Sequence, residues 1–134
     1  GSTLSRIVHA QLAAIVKDDA LTWRLFQEAL SSDYHDIQGG TTAEGIHAGV
    51  MAATLWIPLS TFAGLDLRQG TVTFRPRIPK HWEMLRFNFT WRNIDFHVCL
   101  TGNCLEITSS HDCEIALFEQ TVFLQKQLTK IVHY

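Results

Sequence analysis

The chain has 134 residues, a length that fits one compact domain or two small parts of a larger one. Hydrophobic residues make up 46% and charged residues only 18%, against roughly 25% in an average soluble domain. We therefore expect part of the surface to be covered by further sequence or by another subunit. The net charge of −2, with scattered Lys and Arg, argues against nucleic acid and anionic membranes as partners.

Membrane, secretion and metal signatures are absent from the sequence pattern. The most apolar stretch, residues 46–65, contains His47 and Pro58 and is interpreted as a buried helix rather than a membrane span. No signal-peptide pattern stands at the start. The three cysteines have no CxxC spacing, which indicates buried free thiols instead of a disulfide framework or a zinc site. We expect a cytoplasmic protein that holds no metal.

The first half of the chain follows a helical period. Apolar side chains recur every three or four residues over 4–16, which predicts one amphipathic helix. Asp18 and Asp19 then place negative charge where a second helix would begin, and the helix dipole favours it there. The polar residues 31–33 are expected to end this second helix.

A third helix is predicted from Ala43 to about Phe62. Its residues are apolar nearly all round, with small residues between the large ones, so it should be buried on most sides. Pro58 is expected to kink or end it, because proline removes a backbone donor. Two other helices cannot bury such a helix fully. The helical part, residues 1–64, is therefore predicted to belong to a larger helical assembly.

The remaining part, residues 65–134, has a period of two that indicates short β-strands. The dipeptide Arg92-Asn93 supplies a hairpin turn between two of them. Many short strands with close turns predict an antiparallel sheet folded into a sandwich, and hence an α+β chain. The predicted strands are 71–74, 85–91, 94–100, 105–108, 114–118, 121–124 and 130–132.

The segment before the third helix carries the most specific local chemistry. Gly39-Gly40 allows close backbone approach to a ligand, and Thr41 with Glu44 forms a capping-box pattern. The first turn of a helix offers unpaired N–H groups to an anion. Thr41 and Thr42 would add hydroxyl donors, and His47 would lie one turn into the helix. On this spacing alone, a capped helix with a purely structural role is favoured over an anion site.

The exact sequence of this segment favours the anion site over a purely structural capped helix. Residues 36–47, DIQGGTTAEGIH, followed by Gly49 and Met51-Ala52, closely resemble inverting disaccharide phosphorylases of glycoside hydrolase family 65. These are the maltose, trehalose and kojibiose phosphorylases. The resemblance spans almost the whole chain and is loosest after Thr101. Further matching segments are residues 2–10, 62–65 and 75–82.

This resemblance implies an architecture and a chemistry. Residues 1–64 would be the last helices of an (α/α)6 barrel, and residues 65–134 a C-terminal antiparallel β-sandwich. Thr41, Thr42 and His47 would bind inorganic phosphate, the co-substrate, with no other cofactor. A carboxylic acid would protonate the glycosidic oxygen of the disaccharide while phosphate attacks the opposite face.

No catalytic residue is predicted in this chain. The family's general acid lies upstream of the matched region, and capping explains Glu44 better than catalysis does. The 134-residue chain alone is therefore expected to be inactive. Its expected partners are the disaccharide, phosphate and the rest of the barrel. Whether the protein forms a homo-oligomer is left open.

Three hypotheses follow for the whole protein. It could be an inverting disaccharide phosphorylase, a related glycoside hydrolase, or a protein in which this part serves only packing or oligomerisation. Residues 56–60, WIPLS, stand where phosphorylases of the trehalose type commonly carry more polar residues. The sugar specificity is accordingly left open.

Overall fold

The computed structural model describes residues 3–34 and 45–134. The chain divides into two compact units, Gly1–Thr61 and Phe62–Tyr134, whereas the boundary drawn from the sequence falls at residue 64. Within the described ranges, no helix is long and apolar enough to cross a membrane.

Three α-helices form the first unit, and each pair of them is in contact. They are α1 (Thr3–Ile15), α2 (Asp19–Leu30) and α3 (Ala48–Ile57). Helix α2 begins as predicted: the Asp18 carboxylate accepts a hydrogen bond from the Leu21 N–H at 2.9 Å. Beyond α3, one π-helical turn (Pro58–Phe62) follows. The predicted break at Pro58 is confirmed, because the α-helix ends at the preceding residue.

The core of the helical unit is small. Its buried polar side chains form hydrogen bonds with nearby backbone. The Thr22, Ser32 and Thr54 hydroxyls donate to carbonyls three or four residues earlier in the chain, at 2.7–2.8 Å. Two large side chains of α3 stay uncovered, with Leu55 74% and Trp56 48% exposed. The expectation that two helices cannot bury the third is thus confirmed. The buried apolar residues of the helical unit are Ile7, Ala10, Ala13, Phe26, Ala29, Val50 and Ile57.

The predicted start of α3 at Ala43 is wrong. Residues 45–47 are not helical, and Gly45 has a φ of +101°, a backbone conformation that favours glycine. His47 is the N-cap of α3 instead of lying one turn inside it. The cause is a competing acceptor, because the His47 N–H is donated to the Asp33 carboxylate at 3.0 Å.

Seven strands form a β-sandwich in the second unit. One sheet has the order β1-β5-β6 and the other the order β2-β3-β4-β7. A single apolar cluster draws buried residues from both sheets, and Phe74 of the first sheet meets Phe89 of the second edge to face at 6.4 Å. The strands are β1 (Val72–Phe74), β2 (Leu85–Trp91), β3 (Ile94–Leu100), β4 (Cys104–Ser109), β5 (Cys113–Leu117), β6 (Gln120–Leu124) and β7 (Lys130–His133).

The predicted hairpin turn is confirmed, but one strand pairing differs from the expectation. Arg92 and Asn93 have φ values of +49° and +62°, which fits a type I′ turn, and Trp91 pairs with Ile94. By contrast, β1 pairs in parallel with β5, so the first sheet is not purely antiparallel. A period of two reports which side of a strand is buried and carries no information on strand direction.

A close backbone approach fixes the entry into the sandwich. Gly64 has a φ of +62°, and its carbonyl accepts the Arg75 N–H at 3.1 Å. A Cβ atom at this position would collide with the Arg75 backbone. Only glycine satisfies both the conformation and the space.

We predict that Gly64→Ala lowers the free energy of unfolding of the sandwich by about 2 kcal/mol or more, because it adds backbone strain to a steric collision. Urea unfolding followed by intrinsic fluorescence would measure this. Gly102→Ala is the matched control, since its φ is not positive and a Cβ there would meet nothing within 4 Å. Equal stability of the two variants would contradict the assignment.

A second prediction concerns the acidity of Asp66. Hydrogen bonds from the Arg68 side chain and then from its backbone N–H lower the pKa of Asp66 to about 2. A carboxyl whose pKa falls on folding stabilises the fold above its unfolded pKa and loses that contribution as the pH falls toward 2. In an NMR titration, we expect the Asp66 carboxyl to have its midpoint near 2 and Arg68→Ala to return it toward 3.8. Arg86→Ala should leave it unchanged.

Candidate functional site

The candidate site lies where the chain enters α3. Two of its three predicted phosphate ligands, Thr41 and Thr42, lie outside the described residues, as does Glu44 of the predicted capping box. His47, the third predicted ligand, is described. The geometry of the site is therefore built from His47 and its surroundings.

Asp33 holds His47 at two points. Its side chain lies in the turn after α2 and is only 9% exposed. One carboxylate oxygen, Oδ2, accepts the His47 backbone N–H at 3.0 Å, and the other, Oδ1, lies 2.9 Å from the ring Nδ1. Because an ionised carboxylate only accepts hydrogen bonds, Nδ1 carries the proton of this contact. Nε2 remains as the second ring nitrogen, and no residue in 3–34 or 45–134 hydrogen-bonds to it.

Among the described residues, the first two residues of α3 are exposed beside this histidine. His47 is the N-cap residue, yet its side chain makes no capping hydrogen bond and turns to Asp33 instead. The next two residues, Ala48 and Gly49, are exposed, and a Cβ at Gly49 would meet nothing within 4 Å. The Ala48 N–H is donated to the Ile46 carbonyl at 3.1 Å, so only the first-turn N–H groups after Ala48 could be offered to an anion. The positive end of the helix dipole also favours an anion at such a position.

Asp33 was missed as a site residue in the sequence. Its place among the polar residues 31–33 predicts only the end of α2. The contact with His47 is tertiary and spans 14 residues, so no local periodicity announces it. A search for a carboxylate near the candidate histidine would require knowing how α2 and α3 pack.

Other reactive side chains do not gather into a second site. In the described part of the chain, no group of three or more His, Cys, Asp and Glu residues is arranged to hold a metal ion. The three cysteines are free but half-buried rather than buried, and desolvation raises the pKa of Cys113. His97 is exposed on the sandwich, where its Nδ1 lies 2.9 Å from Asn88 Oδ1.

Comparison with known proteins matches both units to one family. Residues 1–56 match the central catalytic domain of glycosyl hydrolase family 65, and residues 65–124 match its C-terminal domain. A solved structure of a human-microbiome protein, assigned by name to the kojibiose phosphorylases, superposes with a TM-score of 0.84. It is 22% identical and covers 99% of this chain and 20% of that one. This likeness confirms the α+β fold with its β-sandwich.

Named relatives are similar over most of this chain. A trehalose 6-phosphate phosphorylase of Lactococcus lactis is 39% identical over 125 residues, which are 93% of this chain and 16% of the relative. A maltose phosphorylase of Bacillus subtilis is 29% identical over 92% of this chain and 16% of its own length. An uncharacterized glycosyl hydrolase of Mycobacterium tuberculosis is 36% identical over 85% of this chain and 9% of the relative. The chain thus spans about a sixth or less of these relatives.

Gly45 lies two residues before His47, and its backbone conformation affects how the chain approaches the site. Gly45→Ala should strain the backbone at φ +101° and displace the approach to α3, which would weaken the hydrogen bond from the His47 N–H to Asp33. Hydrogen exchange of the His47 amide should accelerate. Gly49→Ala is the matched control: it lies inside α3 without positive φ and with open space, so the His47 amide should keep its protection. Equal exchange in both variants would show that Gly45 does not set this approach.

Proposed function

We infer the function of this chain from its family: it belongs to glycosyl hydrolase family 65, with parts of the central catalytic domain and of the C-terminal domain. Its relatives include enzymes named as trehalose 6-phosphate, maltose and kojibiose phosphorylases. We propose that the whole protein is an inverting phosphorylase of an α-glucosidic disaccharide. This chain would supply the phosphate-binding start of α3, and inorganic phosphate would be the co-substrate with no further cofactor.

The observation that carries the proposal is the fixed imidazole at the N-cap of α3. A phosphate placed there would receive hydrogen bonds from first-turn N–H groups and lie at the positive end of the helix dipole. His47 stands at the N-cap with Nδ1 already bonded to Asp33, which leaves Nε2 for the anion. Thr41 and Thr42 are proposed to complete the site with their hydroxyl groups.

The proposed reaction requires a group that this chain is not expected to contain. Phosphate would take the place that activated water has in inverting hydrolysis, attacking the anomeric carbon while a carboxylic acid protonates the leaving oxygen. The family resemblance assigns that acid to a segment upstream of the matched region. The 134-residue chain is accordingly proposed to hold the nucleophile without cleaving the disaccharide by itself.

A related hydrolase is the second candidate function. The relatives at 36% identity that are named as glycosyl hydrolases support it. The two candidates differ in their need for phosphate, since only the phosphorylase depends on it for cleavage. Assay of the full-length protein with trehalose 6-phosphate, trehalose, maltose and kojibiose, each with and without phosphate, separates them. Inertness toward every glycoside would favour the third hypothesis, a role in packing or oligomerisation.

For the full-length enzyme, we predict that His47→Ala raises KM for phosphate roughly 10- to 100-fold, because it removes a hydrogen bond to a charged ligand. The KM for the disaccharide should change far less. Initial rates measured against each substrate in turn provide the comparison.

His97→Ala is the matched control for this experiment. It removes an imidazole from the exposed face of β3 in the sandwich, so both KM values should stay within about twofold of the wild type. Unchanged phosphate dependence in the His47 variant would refute the assignment of the phosphate site.

A further inference from the structure

We propose that Asp33 is a positioning residue for the phosphate site, acting through the imidazole of His47. The inference rests on the proposed function, because it assumes that His47 Nε2 meets the phosphate. Asp33 itself would not touch the anion. Its task would be to fix both the place of the histidine backbone and the orientation and proton position of the ring.

The Asp33 carboxylate makes two contacts with a single residue, His47. Both carboxylate oxygens of Asp33 are directed to His47, one to the backbone N–H at 3.0 Å and one to ring Nδ1 at 2.9 Å. Two simultaneous bonds to one residue leave little rotational freedom for the imidazole. The contact is also shielded, since the side chains of Asp33 and His47 are only 9% and 21% exposed.

The chemistry of the pair determines what the free nitrogen can do. With Nδ1–H donated to Asp33, a neutral ring presents Nε2 as an acceptor, and a protonated ring presents it as a second donor. In either form Nε2 is held on the side of the ring away from the carboxylate. Losing the contact would let the ring rotate and exchange the roles of its nitrogens.

A purely structural role for Asp33 makes a different prediction. If its carboxylate serves only to hold the start of α3, the relevant bond is that from the backbone N–H, which any residue at position 47 except proline provides. The effect of changing Asp33 would then be the same whether or not position 47 carries an imidazole. If Asp33 acts through the ring, its effect should disappear when the ring is removed.

A double-mutant cycle in the full-length enzyme distinguishes these roles, with inorganic phosphate as the varied substrate. Asp33→Asn retains the shape of the side chain and one carbonyl oxygen. We expect it to raise KM for phosphate about tenfold in the wild-type background and less than twofold in the His47→Ala background. The KM for the disaccharide should stay within about twofold. Asp33→Ser repeats the cycle should the Asn variant not fold.

Asp18→Asn is the matched control, since it also changes a carboxylate to an amide at an end of α2 and retains an acceptor for the Leu21 N–H. It should leave KM for phosphate unchanged. If Asp33→Asn raised KM for phosphate by the same factor in the wild-type and His47→Ala backgrounds, the positioning role would be wrong and the phosphate site would stand. No effect of His47→Ala on phosphate would overturn both the proposed function and this inference.

Discussion

The contact between Asp33 and His47 determines where the third helix can begin. Helix α3 is short and apolar, and its N-cap side chain provides no capping hydrogen bond. Its entry is fixed from outside, by a carboxylate in the turn after α2 that binds the His47 backbone and ring together. The same contact restricts the orientation of the imidazole of the N-cap residue. Helix placement and site geometry therefore depend on one nearly buried side chain.

The two units differ in how completely they bury their apolar residues. In the sandwich, the buried side chains of both sheets form one cluster, and stacked rings such as Phe89 and Phe96, 4.8 Å apart, join neighbouring strands. In the helical unit, Ile15 and Leu55 are each 74% exposed. Contiguous exposed apolar patches are typical of surfaces that associate with other protein. This agrees with a chain that spans about a sixth or less of these relatives and matches part of the family's central catalytic domain.

The sequence predicts best the features that neighbouring residues determine. The negative charge at the start of α2, the Arg92-Asn93 turn and the break at Pro58 all follow from local backbone chemistry, and the structure has each of them. The start of α3, in contrast, depends on an acceptor 14 residues away. The parallel pairing of Val72 with Ile115 depends on how distant strands meet, which alternation does not encode. The phosphate-binding roles of Thr41, Thr42 and His47 stay predictions, and Asp33 required the fold before it could be noticed at all.

A carboxylate close to a phosphate site raises an electrostatic difficulty. Two like charges at short range disfavour each other, more strongly where water is scarce, which is also why Glu44 is a poor candidate for a catalytic role beside phosphate. Asp33 avoids this conflict through its geometry. Both of its oxygens face N–H groups of His47, so each oxygen already accepts a hydrogen bond from that residue. In that arrangement the N–H donors of His47 partly compensate the negative charge of Asp33. A carboxylate can therefore serve an anion site here, provided that it acts through the histidine.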